Sequence, residues 1–223
     1  NSLLVISGAF GLFDRKTVIE IGGYDKNTVG EDMELVVRLH KKMHEKGKDY
    51  KILFIPEPIC WTQVPEKWKI LAAQRNRWQR GLIETLWKHK NMIFNPRYGT
   101  SGIVAMPFFV FFEMFGPIIE VSGYIITAIS YFYGWVNKEF VILFFMLAIV
   151  FGIILSLFSL LLEEYTVKKY NRTKDIINLF LLAVMENFGY RQINSWWRLK
   201  AFFNIWKHKV SWGEMERKRF VWK

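Results

Sequence analysis

Residues 101–162 form an almost uncharged block, with one lysine and three glutamates. The flanking segments are basic: residues 1–100 hold 17 Lys and Arg against 11 Asp and Glu, and residues 163–223 hold 13 against 6. Apolar stretches of about 20 residues or more are long enough to cross a bilayer. The pattern therefore predicts a membrane protein with a soluble N-terminal part.

We expect the uncharged block to divide at Gly116-Pro117. Residues 102–133 exceed the length that one span needs, so we predict an interfacial or tilted first piece and a span over about residues 117–135. Residues 140–162 are predicted to be a second, uninterrupted span. Two spans return the chain to the side on which it began.

Two glutamates interrupt the first apolar stretch. Glu113 and Glu120 are seven residues apart, so they share a face if the helix is continuous. Carboxylates within membrane segments usually face protein or water. Three interpretations stay open: both line a path for a polymer, Glu113 lies at the headgroup level, or the two pair with basic groups.

The segment after the second span is predicted to lie at the cytoplasmic face. Basic residues at 168–174 follow that span, and the positive-inside rule places them in the cytoplasm beside the N-terminal part. Residues 176–185 are too short to cross, so we predict interfacial or re-entrant helices and a basic tail, with Trp196, Trp197, Trp206 and Trp212 as membrane-interface residues. A third span is the alternative, and it would place the basic cluster at 217–219 outside. The single Cys60 permits no internal disulfide, in agreement with a cytoplasmic soluble part.

Residues 1–62 have the pattern of the later half of an α/β layer. The expected elements are, in order, a strand at 3–7, helices at 13–21 and 30–46, and a strand at 50–55 bounded by Pro56 and Pro58. The fold class predicted for the whole chain is α/β followed by interfacial and transmembrane α-helices.

Residues 65–90 are predicted to form an amphipathic helix. The spacings of Gln74, Arg77, Trp78 and Gly81 place them on one face. A second, apolar face consists of Trp68, Leu71, Leu82 and Leu86. An ordinary amphipathic helix with a solvated basic edge is the alternative to a binding face.

The polar face of this helix has the chemistry of a site for a sugar diphosphate. A guanidinium donates two hydrogen bonds to phosphate oxygens, an amide supplies a donor and an acceptor, and an indole is a flat platform for a sugar ring. The basic excess also fits anionic membrane lipids, and the sequence has no recognisable nucleic-acid-binding motif. We therefore expect a sugar nucleotide and membrane lipids as partners, and no nucleic acid.

Glu31 and Asp32 open the helix predicted at 30–46. Carboxylates at this position usually interact with the helix macrodipole, and the functional alternative is that Asp32 takes a proton from an attacking hydroxyl. His40 and His44 have a spacing that suits a metal ion, but no third ligand is evident in the sequence, so we expect no metal site there.

Five motifs resemble those of one enzyme family in their order and spacing. They are GAFGLF at 8–13, GGYD at 22–25, GED at 30–32, YKILFIPE at 50–57 and QRNRW at 74–78. Together they resemble the C-terminal half of a membrane-integrated family 2 glycosyltransferase, such as the cellulose, hyaluronan and poly-N-acetylglucosamine synthases. The resemblance covers about residues 1–100, and the hydrophobic remainder agrees in architecture only.

The resemblance implies a GT-A fold, a UDP-sugar donor, Mg²⁺ or Mn²⁺, and inversion at the anomeric carbon to give a β-linkage. By position, Asp32 would be the general base on the acceptor hydroxyl. The resemblance assigns the donor diphosphate to Gln74, Arg77 and Arg75, although Arg75 lies about 100° round the helix from Gln74. It assigns the acceptor to Trp78 and Glu31. It assigns the pocket lining to Gly8, Ala9, Phe10 and Gly11.

One departure from the family pattern concerns the donor site. The family's N-terminal half binds the nucleotide and carries a D-x-D metal motif, whereas no D-x-D occurs in these 223 residues. We therefore expect a fragment or one part of a split enzyme, inactive alone, with the metal ligands outside this chain. The predicted domains are the C-terminal half of a GT-A domain (1–64), an amphipathic interfacial helix with a linker (65–100), an interfacial segment with two spans (101–162), and a basic loop with interfacial helices and a tail (163–223).

Two classes of function agree with these features. The first is inverting transfer of a sugar from a UDP-sugar to a growing β-linked polysaccharide at the cytoplasmic face of the cell membrane, coupled to export. Transfer of a single sugar to a lipid acceptor is a variant of that class. The second class is a non-catalytic membrane subunit, an anchor or a channel.

Overall fold

The computed structural model describes residues 2–55, 60, 62–167 and 172–205. Its helices are α1 (Arg15–Glu20), α2 (Glu31–Glu45), α3 (Trp68–Lys88), α4 (Met106–Phe108), α5 (Gly116–Phe132), α6 (Lys138–Val167), α7 (Thr173–Met185) and α8 (Tyr190–Asn204). Short 3-10 helices at Lys90–Met92 and Pro96–Tyr98 follow α3, and π-helical segments at Ser101–Ala105 and Phe109–Met114 flank α4. The described residues up to Gly116, with those from Trp197 onwards, form one compact unit, and Pro117–Trp196 form a second.

The predicted α/β layer is not confirmed. Residues 3–7 and 50–55 contain no assigned strand, and the described part of the chain consists of helices, turns and irregular loops. A strand is stable only when a neighbouring strand pairs with its backbone N–H and C=O groups. No such partner is present among the described residues, so both apolar runs are loops. Pro56 and Pro58 lie outside the described residues.

The three helices predicted in the N-terminal part are confirmed. α1, α2 and α3 each lie within the range expected for them. α1 begins at an N-cap in which a carboxylate oxygen of Asp14 accepts hydrogen bonds from the backbone N–H and the hydroxyl of Thr17, at 2.8 and 2.7 Å. Such a cap replaces the intrahelical partners that the first N–H groups of a helix lack.

α2 is buried on two faces. One cluster consists of Ile21, Leu35, Leu39 and Met43. The other joins Met33 and Val37 of α2 to Leu82 and Leu86 of α3, together with Met92 and Tyr98. Because each fully buried side chain of this size contributes about 1.5–3 kcal/mol, these contacts fix α2 against α3.

The apolar face predicted for α3 is buried only in its C-terminal half. Leu82 and Leu86 are buried, Leu71 is half-buried, and Trp68 is 60% exposed with its ring edge against Trp197 at 5.6 Å between centroids. The core that contains α2 reaches only the second half of α3, which explains the difference.

A buried carboxylate links α2 to the end of α3. The side chain of Glu34 is fully buried, and it lies 2.9 Å from the Arg38 guanidinium, 2.7 Å from Lys88 Nζ and 3.1 Å from His89 Nε2. Burial alone would raise the pKa of Glu34, but hydrogen bonds from His89 and Lys88 and the charges of Arg38 and Lys88 lower that pKa to about 2. The carboxylate of Glu34 is therefore ionised in the folded protein at physiological pH.

We expect Glu34→Gln to lower the free energy of unfolding by about 3–5 kcal/mol at neutral pH, because it removes the buried negative charge that the largely buried Arg38 and His89 share with the more exposed Lys88. The folded-state pKa lies below the usual value of 4.5. The stabilisation by Glu34 is therefore complete above about pH 4.5 and is lost as the pH falls towards about 2. Denaturant unfolding at several pH values measures both effects.

Glu45→Gln is the matched control, because Glu45 lies on the same helix and forms a more exposed pair with Lys42 at 3.0 Å. Its cost is expected to stay below about 1 kcal/mol. Equal costs for the two variants would contradict the role of the buried carboxylate.

Two helical stretches are long and apolar enough to cross a membrane, judged by length and composition. They are Ser101–Phe132, of 32 residues, and Lys138–Val167, of 30 residues. The second contains the span predicted at 140–162. In the first, α5 begins at the predicted break, Gly116-Pro117, and the preceding residues form the π-helical segments and α4. α7 has 13 residues, which agrees with the prediction that this segment is too short to cross.

Both glutamates of the first stretch have arginine partners. In the first unit, Glu113 Oε2 lies 2.9 Å from Nη2 of Arg198. In the second unit, Glu120 lies 3.5 Å from Nε of Arg191 and accepts a hydrogen bond from Ser195 at 2.7 Å. These contacts agree with the third interpretation, pairing with basic groups. Trp206, Trp212 and the cluster at 217–219 lie outside the described residues.

Candidate functional site

Two glycines bring the start of α2 into backbone contact with α3. A Cβ atom added to Gly81 would lie 2.7 Å from Cα of Gly30, and one added to Gly30 would lie 2.8 Å from Cα of Gly81. No side chain fits at either position without moving the backbone. The contact places Glu31 and Asp32, the first residues of α2, directly beside the helix that carries the QRNRW motif.

A carboxylate of α3 holds the loop that precedes α2. Glu84 Oε2 accepts a hydrogen bond from the hydroxyl of Thr28 at 2.8 Å and one from the backbone N–H of Val29 at 3.1 Å. The Thr28 hydroxyl in turn accepts from the N–H of Gly30 at 3.1 Å. Thr28 and Glu84 were not among the predicted site residues, although the three-residue spacing of Gly81 and Glu84 places these two on one helix face.

A cleft of about 370 Å³ lies at the N-terminus of α2. Its lining consists of Ile6, Ser7, Gly8, Gly11, Phe13, Tyr24, Asp25, Lys26, Thr28, Glu31 and Asp32. The volume falls within the range of about 300–1,000 Å³ that is usual for small-molecule sites. Four of the predicted site residues, Gly8, Gly11, Glu31 and Asp32, thus line one cavity, although they come from two separate segments.

Asp32 is held in a defined orientation at the cleft. Its Oδ1 accepts a hydrogen bond from the backbone N–H of Met33 at 2.8 Å. Its Oδ2 would lie 2.8 Å from a Cβ atom added to Gly8, so the absence of a side chain at residue 8 leaves room for this oxygen. One carboxylate oxygen is therefore fixed by the backbone while the other faces the loop of residues 8–11.

The charges of Glu31 and Arg77 act on each other. Burial raises the pKa of Glu31, and the neighbouring charge of Asp32 raises it further, whereas the charge of Arg77 lowers it. Burial lowers the pKa of Arg77, and the charge of Glu31 opposes this shift. The QRNRW helix therefore supplies a partly desolvated cation that interacts with Glu31 at the start of α2.

None of the QRNRW residues, Arg77 included, lines the cleft. Gln74 and Arg75 are half-buried, and Trp78 is 55% exposed. The guanidinium of Arg75 lies over the ring of Trp78, 4.5 Å from its centroid, which is a cation–π contact. Ala9 and Phe10 are exposed and lie next to the lining without contributing to it. The roles predicted for these residues stay predictions.

Another set of contacts supports α3. Gln79, 2% exposed, accepts a hydrogen bond from Nε of Arg198 at 2.8 Å and donates one to the carbonyl of Met114 at 3.1 Å. The side chain of Asn76 donates to the carbonyl of Trp197 at 3.2 Å. Residues more than 100 positions later in the chain thus fix the helix from which the QRNRW side chains project.

A divalent cation does not fit the described residues. Within residues 2–55, 60, 62–167 and 172–205, no group of three His, Cys, Asp or Glu side chains is close enough to hold a metal ion. The described residues therefore supply no ligand set for a divalent cation.

Comparison with known proteins identifies relatives. A family model described as glycosyl transferase family group 2 matches residues 2–157. The chain is 27% identical over 221 residues to a protein named "Probable glycosyltransferase YdaM" of Bacillus subtilis (strain 168), an alignment that covers 91% of this chain and 47% of the relative.

A second relative has a more specific name. The chain is 37% identical over 81 residues to poly-beta-1,6-N-acetyl-D-glucosamine synthase of Staphylococcus aureus (strain COL). This alignment covers 36% of this chain and 18% of that enzyme. The chain thus spans less than half the length of these two curated relatives. No solved structure gives a significant match.

Proposed function

The chain belongs to glycosyl transferase family group 2, and we propose that it transfers a sugar, with inversion, from a UDP-sugar to a growing β-linked polysaccharide. The observation that carries this proposal is the position of Asp32 in a cleft beside the QRNRW helix. A carboxylate in such a place is suited to take a proton from a hydroxyl group, and transfer to a hydroxyl is the reaction class of the family.

In the proposed reaction, Asp32 removes the proton of the acceptor hydroxyl. The hydroxyl oxygen forms a bond to the anomeric carbon of the donor from the side opposite the diphosphate. The bond between that carbon and the diphosphate oxygen breaks, and UDP leaves with the electron pair. Asp32 is then protonated and returns its proton to solvent, so the charges balance.

The donor diphosphate is proposed to contact α3. Arg77 offers two donors in a planar fork and Gln74 an amide on the same helix face, and their chemistry matches phosphate oxygens. Arg75 is included in the donor set, and Trp78 and Glu31 are assigned to the acceptor. The partial burial of Arg77 supports its part, because a desolvated guanidinium interacts more strongly with an anion.

The nucleotide pocket and the ligands of Mg²⁺ or Mn²⁺ are proposed to lie outside residues 1–223. The sequence holds no D-x-D motif, and a divalent cation bound elsewhere in the enzyme would neutralise charge on the leaving diphosphate. We propose on the same grounds that these residues alone do not complete the transfer.

The site is proposed to act at the cytoplasmic face of the cell membrane, with the product exported. Two helices have the length and composition of spans, and the basic flanks favour the cytoplasmic side. The relative from Staphylococcus aureus is named as the synthase of a polysaccharide, which supports a polymeric acceptor over a lipid.

The test is UDP release and product size from membrane vesicles that contain the intact gene product. UDP-N-acetylglucosamine and UDP-glucose are supplied in turn, and products are separated by size. Release of UDP with long products supports the proposal. Release with a product of a single added sugar on lipid would replace the polysaccharide by a lipid acceptor, and no release from either donor would favour a non-catalytic subunit.

A further inference from the structure

The loop of residues 22–26, between α1 and α2, forms one wall of the cleft. Tyr24, Asp25 and Lys26 all line it. Gly22 and Gly23 have φ angles of +95° and +69°, a backbone conformation that side chains other than glycine rarely adopt. This pair of glycines turns the chain so that the next residue, Tyr24, reaches the cleft.

The loop is anchored on both sides of Tyr24. Arg38 of α2 donates hydrogen bonds to the carbonyls of Ile21 and Gly23, at 2.6 and 2.5 Å. Lys88 of α3 pairs with the carboxylate of Asp25 at 2.5 Å. Both cations also contact the buried Glu34, so two helices and a buried carboxylate fix this short loop.

Tyr24 itself is 53% exposed as a residue, although the loop around it is fixed. Tyrosine combines an apolar ring with a polar hydroxyl, and for this reason it is enriched at binding interfaces. Here the anchoring contacts involve the backbone and Asp25, and the phenol ring is left accessible at the wall of the cleft.

A second ring and two carboxylates besides that of Asp25 lie in the same cavity. Phe13 lines it, and a Cβ atom added to Gly11 would lie 2.9 Å from the Phe13 ring, so the glycine gives the ring its place. Glu31 and Asp32 supply hydrogen-bond acceptors for hydroxyl groups. Flat apolar rings together with carboxylates match a pyranose, which has apolar faces and a rim of hydroxyls.

We propose that Tyr24 is the platform on which the terminal sugar ring of the acceptor stacks. This inference rests on the proposed function and extends it by assigning the cleft to the acceptor. The cleft contains Asp32, which must contact the acceptor hydroxyl, whereas Gln74 and Arg77, assigned to the donor diphosphate, do not line it. Arg38 and Lys88 are positioning residues that act through the loop.

The test uses the intact gene product in lipid nanodiscs with short β-1,6-linked N-acetylglucosamine oligomers as the acceptor probe. Saturation-transfer NMR measures binding of the oligomer, and UDP release measures the KM for oligomer and for UDP-N-acetylglucosamine. Tyr24→Ala is expected to weaken oligomer binding and raise the oligomer KM by about 3- to 10-fold, with the donor KM unchanged. Tyr24→Phe retains the ring and is expected to behave as the parent.

Tyr165→Ala is the matched control, because it removes an 84% exposed phenol ring that does not line the cleft. Tyr24→Leu keeps a large apolar side chain but has no ring. It therefore separates the effect of losing the ring from the effect of introducing a small side chain. Unchanged oligomer binding and KM in Tyr24→Ala would overturn the inference, as would a rise in the donor KM alone or an equal loss in Tyr165→Ala.

The outcomes also separate this inference from the proposed function. A parent that binds the oligomer through Tyr24 but releases no UDP would refute the transferase activity and retain the sugar-binding cleft. A parent that releases UDP while Tyr24→Ala matches it would refute the cleft assignment alone. A parent that neither binds the oligomer nor releases UDP would refute both.

Discussion

Asp32→Asn is expected to lower the rate of UDP release by about 100- to 10,000-fold, the usual contribution of a general base. The substitution keeps the shape of the side chain, so the hydrogen bond from the N–H of Met33 to Oδ1 and the space beside Gly8 are preserved. What it removes is the ability to accept a proton. Steady-state UDP release from the intact gene product measures the effect.

Donor binding should persist in this variant, because Asp32 is assigned to the acceptor. Equilibrium binding of the UDP-sugar is therefore measured in parallel and is expected to match the parent. Asp49→Asn serves as the control, since Asp49 is exposed and does not line the cleft. Loss of donor binding together with turnover would reassign Asp32 to a structural role, and retained turnover would refute the proposed base.

The second large effect is expected from Gly81→Ala. The added methyl group would lie 2.7 Å from Cα of Gly30, and because this neighbour is backbone, the two helices must move apart. Overpacking of this kind costs about 1–3 kcal/mol of stability. A displacement of about 1 Å between Asp32 on α2 and Arg77 on α3 would lower turnover by about 100-fold, since reaction requires precise alignment.

Gly116→Ala provides the comparison, because a Cβ atom at Gly116 meets nothing within 4 Å. It is expected to leave stability and turnover close to those of the parent. Thermal unfolding of both variants in detergent, alongside UDP release, separates the structural cost from the catalytic one. A Gly81→Ala protein with parental turnover would show that the close approach of α2 and α3 does not position the reacting groups.

The local pattern of the sequence determined the helices. The apolar spacing of α2 and α3 and the glycines at 22 and 23 depend on residues within a few positions of one another, and these helices lie within the predicted ranges. The motifs likewise indicated a family 2 glycosyltransferase, and the match over residues 2–157 confirms that family, while the membrane-integrated class and the C-terminal half stay predictions. The separation of α5 from the preceding segment at Gly116-Pro117 also followed from local chemistry, since proline interrupts the helical hydrogen bonds.

The predictions that failed or stayed open depend on distant residues. Residues 3–7 and 50–55 have strand-like composition, but composition does not supply a pairing partner, and none is present in the described part of the chain. The partners of Glu113 and Glu120 were left as alternatives because Arg198 and Arg191 lie more than 70 positions away. The acceptor role of Trp78 also stays a prediction, because it depends on which molecule contacts the exposed indole.

The sequence by itself therefore determined which residue types were available and which helices carry them. Only the tertiary structure decided that Gly30 meets Gly81, that Glu84 holds Thr28, and that Tyr24 faces the same cleft as Asp32. The physical reason is range: helix formation is governed by hydrogen bonds four residues apart, whereas a site forms where packing joins segments that are tens of residues apart.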